Sequence, residues 1–205
     1  MACFRAITAE EEAASSIFYI VKRKNYKNAK RIKAKDHVYK NSLYQYILAI
    51  QKFFSEKVKY PYQILFSLSD KKDKPAYIKI ELPDGRFIEP IPPLNFNVKE
   101  LPDNSIIKFD SIFIEMVNDL GKKDLNKYLK DLANQRNILL YASEIGVGSF
   151  RDNIIEYIDK KRRNVFTILF AYCLMFPYEN SLFVQQLING FLLSLKEINN
   201  DELIW

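Results

Sequence analysis

The sequence predicts a mainly α fold, a helical bundle with a small β-hairpin insertion around residues 60–108. Apolar residues recur at the 3.6-residue spacing of amphipathic helices over residues 14–21 and 39–54, and again from residue 110 onward. Between these regions, two short stretches alternate β-branched and aromatic residues with polar ones, and six of the eight prolines lie between residues 75 and 102. We therefore expect a single helical domain over residues 1–205, with residues 58–108 as a proline-rich insertion or subdomain that contains β-structure.

Capping residues predict where the first two helices begin. Residues 8–11, Thr-Ala-Glu-Glu, fit a capping box, in which Thr8 and Glu11 each accept a hydrogen bond from an otherwise unpaired backbone N–H. The glutamates at positions 10–12 could instead be metal ligands, but no His or Asp stands at a matching offset, which favours capping. Asp36 is the expected N-cap of a second helix that runs to about residue 57.

The remaining elements follow from alternation, turn residues and apolar periodicity. Residues 62–68 and 76–82 are expected to pair as a hairpin with a charged loop, while residues 106–109 either add a third strand or lead into the next helix. Helices are then expected over residues 110–120, 123–145, 149–176 and from about residue 181. The run 165–176 is apolar on nearly all sides, which predicts a central helix, and it is well short of the ~20 residues that span a bilayer.

Composition excludes several classes of enzyme site. One histidine and two cysteines are too few for a zinc site built from Cys and His alone, so we expect no metal ligands. The five glycines form neither of the usual nucleotide-binding motifs, and we expect no cofactor. The sparse cysteines and the acidic start of the chain predict a reducing, cytoplasmic setting without membrane association.

Positive charge is concentrated in one segment. Residues 22–40 contain nine basic residues and one acid, a local charge of +8 within a chain of net charge +6, so the rest of the chain carries −2. Such a segment predicts an electrostatic contact with RNA or another polyanion. The candidate nucleic-acid-binding residues are this segment's Lys22, Arg23, Lys24, Lys27, Lys30, Arg31, Lys33, Lys35 and His37, together with Arg162 and Arg163 of a second basic cluster.

His37 is the only histidine in the chain and lies inside this basic segment. Its functional interpretation is an acid–base pair with Asp36, facing a phosphate that the surrounding lysines hold. The alternative interpretation is an exposed residue in the first turn of the second helix.

Arg136 and Asn137 lie on a helix late in the bundle, within residues 134–142. The pair resembles the active-site segment of HEPN domains, helical proteins that include RNA-cleaving toxins and abortive-infection factors. The family signature is an arginine, a polar residue and, two to five positions later, a histidine. In this chain Tyr141 stands in the histidine position. The departure matters because a phenol with a pKa near ~10 is a weaker base at neutral pH than an imidazole with a pKa near ~6.5.

The resemblance spans residues 110–196 in architecture and implies a metal-independent endoribonuclease whose active site forms across a homodimer. It implies that Arg136 binds a phosphate through its planar guanidinium, that Asn137 orients it and that Tyr141 donates a hydrogen bond to it. The alternative interpretation is that Arg136 and Asn137 lie on the polar face of a helix whose other side is core.

Three functions are therefore open at the level of sequence. The first is a nucleic-acid-directed defence or toxin-like protein, including an RNase of HEPN type. The second is a non-catalytic regulatory module that binds nucleic acid or protein through residues 22–40. The third is a structural protein that dimerises through its C-terminal helices, with the apolar end of the chain as a docking element.

Overall fold

The computed structural model describes residues 2–57, 63–71, 73–100, 103–122, 124–145 and 154–203. Within these ranges the chain forms six α-helices, one antiparallel sheet and two short 3-10 helices, which confirms the predicted mainly α fold with a small β insertion. The helices are α1 (Ala2–Arg23), α2 (His37–Lys57), α3 (Phe109–Asp119), α4 (Leu125–Ile145), α5 (Ile154–Cys173) and α6 (Leu182–Ser194). The strands are β1 (Gln63–Leu68), β2 (Ala76–Glu81) and β3 (Phe87–Ile88), and the 3-10 helices are Ala29–Arg31 and Asn200–Glu202.

α1 begins at Ala2, so the predicted start at Thr8 is wrong. The Thr8 hydroxyl donates a hydrogen bond of 3.0 Å to the carbonyl of Phe4, the bond that a threonine makes to the preceding turn inside a helix. Ile7 is buried and continues the apolar face toward the N-terminus, so packing extends the helix beyond the capping signal. Glu10 and Glu11 consequently lie within the helix and do not cap it.

α2 begins where the sequence predicts. Asp36 immediately precedes the helix, and its carboxylate accepts a hydrogen bond of 2.7 Å from the backbone N–H of Val38. This bond satisfies one of the N–H groups that a helix leaves unpaired at its N-terminus.

The central helix is α6, not the predicted apolar run 165–176. Nearly all side chains of α6 are buried, and Phe191 packs its ring against those of Phe18 and Tyr46. Gly190 permits close packing onto α3, because a Cβ there would lie 2.9 Å from the Cβ of Phe109. By contrast, α5 buries only part of its surface and leaves Phe166 and Leu169 exposed.

The sheet has the strand order β1-β2-β3 with antiparallel pairing throughout. β1 and β2 pair over six residues each, from Gln63 opposite Glu81 to Leu68 opposite Ala76, which confirms the predicted hairpin. The third strand is β3, and Ile106 forms only an isolated bridge with Lys99. Ala76 and Ile78 of β2 are buried against the helices, so one face of this strand joins the core.

None of the described helices is both long enough and apolar enough to cross a membrane.

Candidate polar site at the junction of α1, α2 and α5

Two adjacent glutamates on α1 are buried where this helix packs against α2 and α5. Glu10 is 2% exposed and Glu11 is 3% exposed. Removing a carboxylate from water is costly unless hydrogen bonds and opposite charge replace the water. The hydrogen-bonding and charged partners of these two side chains must therefore compensate for their burial.

Glu10 joins α1 to α5. Its Oε2 accepts a hydrogen bond of 2.7 Å from Nδ2 of Asn164 and lies 3.0 Å from Nζ of Lys161. The same ammonium lies 5.8 Å from the centroid of the Tyr157 ring, a distance at which a cation is attracted to an aromatic face. Glu10 thus has a charged and a neutral partner on one helix, which compensates its burial.

Glu11 joins α1 to the start of α2. Its Oε1 lies 2.9 Å from Nδ1 of His37 and 3.1 Å from Nδ2 of Asn41. Asn41 also donates a hydrogen bond of 2.8 Å to the carbonyl of His37, so it links the carboxylate to the backbone beneath the imidazole. Both contacts fix the position of His37 relative to the buried carboxylate.

This geometry determines the tautomer of His37. An ionised carboxylate only accepts hydrogen bonds, so Nδ1 must carry the hydrogen in its contact with Glu11. In the neutral ring Nε2 is then a bare acceptor. The His37 side chain is 44% exposed, and no hydrogen bond joins Nε2 to any residue that the structure describes. In the neutral form of the ring, Nε2 is therefore an acceptor without a partner among the described residues.

Two phenols lie near Glu10. Burial raises the pKa of Tyr44 and Tyr157, and the negative charge of Glu10 raises both further. The positive charge of Arg163 opposes the rise at Tyr44. Both phenols therefore remain neutral at physiological pH. Because Glu10 and Glu11 are adjacent on α1, we refer to them and their partners as the polar cluster: His37, Asn41, Lys161 and Asn164.

The side-chain amide of Asn164 is only partly hydrogen-bonded. The residue is almost fully buried, and its Oδ1 has no hydrogen-bond partner among the described residues. Its Nδ2 is committed to Glu10, so the amide is oriented by that contact.

The predicted acid–base pair of Asp36 and His37 is wrong, because the acid bonded to His37 is Glu11. The carboxylate of Asp36 is instead occupied at the start of α2. A sequence signal for Glu11 does exist: Ile7, Glu11 and Ala14 follow helical spacing along one face of α1, and the flanking two are buried. A charged residue inside an apolar stripe indicates a buried, paired carboxylate.

The glutamates also bear on the alternative interpretation of residues 10–12 as metal ligands. Among the described residues, no group of three or more His, Cys, Asp or Glu side chains could hold a metal ion. The carboxylates of Glu10 and Glu11 contact Lys161 and His37 instead.

Much of the basic segment 22–40 contacts the rest of the chain. Arg31 pairs with Glu202, Lys33 lies 2.6 Å from Glu197, and Lys40 lies 3.7 Å from Glu12. Lys22 and Lys24 donate to backbone carbonyls, those of Ile32 and Tyr178. The exposed side chains that form no ion pair within the described residues are Arg23, Lys27, Lys30 and Lys35. The surface available to a polyanion is therefore smaller than the sequence predicts.

The other predicted site residues are only partly described. Arg162 is exposed and pairs with Asp159 at 3.2 Å on the same helix, and Arg163 is exposed. Arg136, Asn137 and Tyr141 lie on α4, and the Asn137 side chain is exposed, but the side chains of Arg136 and Tyr141 lie outside the described part. The predicted roles of these three residues stay predictions.

Acid is expected to destabilise the protein through Glu197. The hydrogen bond that Nζ of Lys33 donates to Glu197 holds the pKa of this carboxyl below its ordinary value of 4.5. A carboxyl whose pKa is lower in the folded state stabilises the fold above its unfolded pKa, and this contribution is lost as the pH falls through the folded pKa. The denaturation midpoint should therefore decrease as the pH falls below about 4.5.

Lys33→Ala should weaken this acid dependence because it removes the largest cause of the shift. Lys35→Ala is the matched control, since Lys35 is exposed in the same segment and forms no ion pair among the described residues. Urea denaturation midpoints between pH 3 and pH 7 measure the effect. Equal pH dependence in the two variants would contradict the assignment.

Comparison of the chain with protein-family models, with curated proteins and with solved structures finds no match.

Proposed function

We propose that this chain is a nucleic-acid-directed protein of defence or toxin type that cleaves RNA without a metal ion, with His37 as the general base. The observation that carries the proposal is the contact of 2.9 Å between Nδ1 of His37 and the buried carboxylate of Glu11. A carboxylate behind an imidazole fixes its tautomer and stabilises the charge that the ring acquires when it takes a proton, as in the triads of hydrolases. This pair lies at the end of a basic segment, which supplies attraction for a polyanion.

The chemistry requires only groups that RNA and the chain supply. Nε2 of His37 takes the proton of a ribose 2′-hydroxyl, and the resulting oxygen attacks the adjacent phosphorus. The bond from phosphorus to the 5′ oxygen breaks, and that oxygen takes a proton from water. The hydroxide that remains takes the proton from Nε2, which returns His37 to its neutral form. The products are a 2′,3′-cyclic phosphate and a 5′-hydroxyl end. Exposed cations such as Lys35 and Arg163 support binding of the phosphate.

The resemblance to HEPN domains is consistent with this assignment of the base. Tyr141 occupies the position of the family's histidine, and His37 is the only residue in the chain that can supply an imidazole. Under this proposal Arg136 and Asn137 bind the phosphate, within one chain or across a homodimer in the cytoplasm. A homodimer through the C-terminal helices would use the exposed apolar side chains of α5, because α6 is buried in its own chain.

Incubation with RNA tests the proposal. Purified protein in EDTA should cleave single-stranded RNA and leave cyclic phosphate ends, which end-group analysis identifies. The Arg136→Ala variant should lose the cleavage and keep the fold. Intact RNA at every pH and with every added divalent metal would contradict the enzymatic function.

A second function is supported by a separate observation. Arg23, Lys27, Lys30 and Lys35 are exposed without ion pairs among the described residues, so they can bind a polyanion without any chemistry. Binding of RNA should then weaken steeply with salt, because each neutralised phosphate releases condensed counterions. An affinity that does not change between low and high salt would contradict this binding mode.

A further inference from the structure

We propose that a cavity between α2, β1, α5 and α6 binds a small, uncharged apolar molecule. The cavity has a volume of about 770 Å³. Sites for small organic molecules typically measure about 300–1,000 Å³, whereas a cavity of ~150 Å³ already holds benzene. The proposal is independent of RNA, because the lining contains none of the residues assigned to RNA binding or cleavage.

The cavity extends from the surface into the core. Its lining includes Tyr46, Leu94 and Phe183, three residues that are buried and belong to different segments of the chain. Phe66 of β1 and Phe166 of α5 also line it, and both are largely exposed. A space that leads from exposed aromatic rings down to buried side chains admits a small molecule, whereas a flat protein surface would cover only the rim. The shape therefore favours a small-molecule occupant.

The polar groups of the lining specify an uncharged occupant. No Lys, Arg, Asp, Glu or His is among the lining residues that the structure describes. Tyr46 is neutral, because burial raises its pKa well above the ordinary value, and its hydroxyl already donates 2.9 Å to the carbonyl of Leu187. Ser55 likewise donates to the carbonyl of Lys52. Gln51 and Thr167 are left as hydrogen-bonding side chains for a ligand.

Charge complementarity then excludes anionic ligands. A carboxylate, sulfonate or phosphate inside this cavity would lose water and meet no opposite charge among the described lining residues, which is unfavourable for any ion. Ligands that would carry a charged group into the interior of the cavity therefore do not fit. The chemistry that fits is an aromatic or aliphatic body with at most one or two neutral hydrogen-bonding groups.

Two fluorescent probes that share one aromatic body test the specificity for charge. N-phenyl-1-naphthylamine is neutral, and 1-anilinonaphthalene-8-sulfonate is the same arene with a sulfonate. The neutral probe should bind the folded protein with 1:1 stoichiometry and at least 10-fold more tightly than the sulfonate. Equal affinities, or no saturable binding of the neutral probe, would overturn the proposal.

A substitution that fills the cavity tests the location. Ala171 lines the cavity from α5, so Ala171→Trp should weaken binding of the neutral probe at least 10-fold. Ala9→Trp is the matched control, because Ala9 is an exposed alanine on α1 outside the lining, and it should bind like the wild type. Thr167→Phe is a second filling variant should Ala171→Trp fail to fold, as thermal denaturation will show. Undiminished binding in a folded filling variant would overturn the proposal.

Discussion

Replacing Glu10 with alanine is expected to lower the free energy of unfolding by about 3–5 kcal/mol. Glu10 is buried and contacts both Lys161 and Asn164 of α5. Its removal leaves the ammonium of Lys161, whose side chain is 14% exposed, without its opposite charge. It also leaves Nδ2 of the buried Asn164 without its acceptor, and an unsatisfied buried donor costs about 1–3 kcal/mol. Urea denaturation followed by circular dichroism measures the change.

Glu12→Ala is the matched control on the same helix. Glu12 is 70% exposed, and its contact with Lys40 is 3.7 Å long, so its removal should cost about 0.5 kcal/mol or less. The double variant Glu10→Leu with Lys161→Met should recover the part of the loss that comes from Lys161, because an apolar pair can replace a buried ion pair at little cost, while Nδ2 of Asn164 still lacks its acceptor. Equal destabilisation by Glu10→Ala and Glu12→Ala would contradict the paired burial of Glu10.

Replacing His37 with asparagine is expected to reduce RNA cleavage by about 100-fold or more, since general-base catalysis typically contributes ~10²–10⁴-fold. The amide nitrogen of asparagine can take the place of Nδ1 and donate to Glu11, so the buried carboxylate keeps a partner. The substitution removes Nε2, the only part of the ring that the proposed chemistry uses. Initial rates on a single-stranded RNA in EDTA measure the loss.

Stability and binding separate this effect from misfolding. The variant should unfold within about 1 kcal/mol of the wild type, because the hydrogen bond to Glu11 is kept. It should also bind uncleavable RNA with unchanged affinity, because the exposed cations of the basic segment are untouched. Full cleavage activity in His37→Asn would contradict a catalytic role of this residue and assign the base to another group.

The sequence predicts those elements whose signals are local. The N-cap at Asp36 and the hairpin between β1 and β2 depend on neighbouring residues, and the structure confirms both. The start of α1 is different, because Thr8 satisfies a capping pattern while the packing of Ile7 extends the helix past it. Tertiary packing outweighs a capping bond, whose contribution is about 1 kcal/mol.

The polar cluster could not be predicted in full because it joins residues far apart in the chain. Glu11 and His37 are separated by 26 residues, and Glu10 and Asn164 by 154. No local spacing indicates such contacts. The basic segment 22–40 shows the same limit, since its pairing with Glu197 and Glu202 depends on how the end of the chain packs. The sequence shows where the basic residues are concentrated, and the fold determines which of them form ion pairs within the chain.

Nitrogen NMR shows whether the imidazole of His37 is held by Glu11 and faces bound RNA. The chain has one histidine, so a ¹⁵N-labelled sample shows a single imidazole. We expect Nδ1 to carry the hydrogen, and the Nε2 resonance to shift when an RNA with methylated 2′-hydroxyls is added. A hydrogen on Nε2 in the neutral ring, or an imidazole unchanged at saturating RNA, would contradict this role of His37.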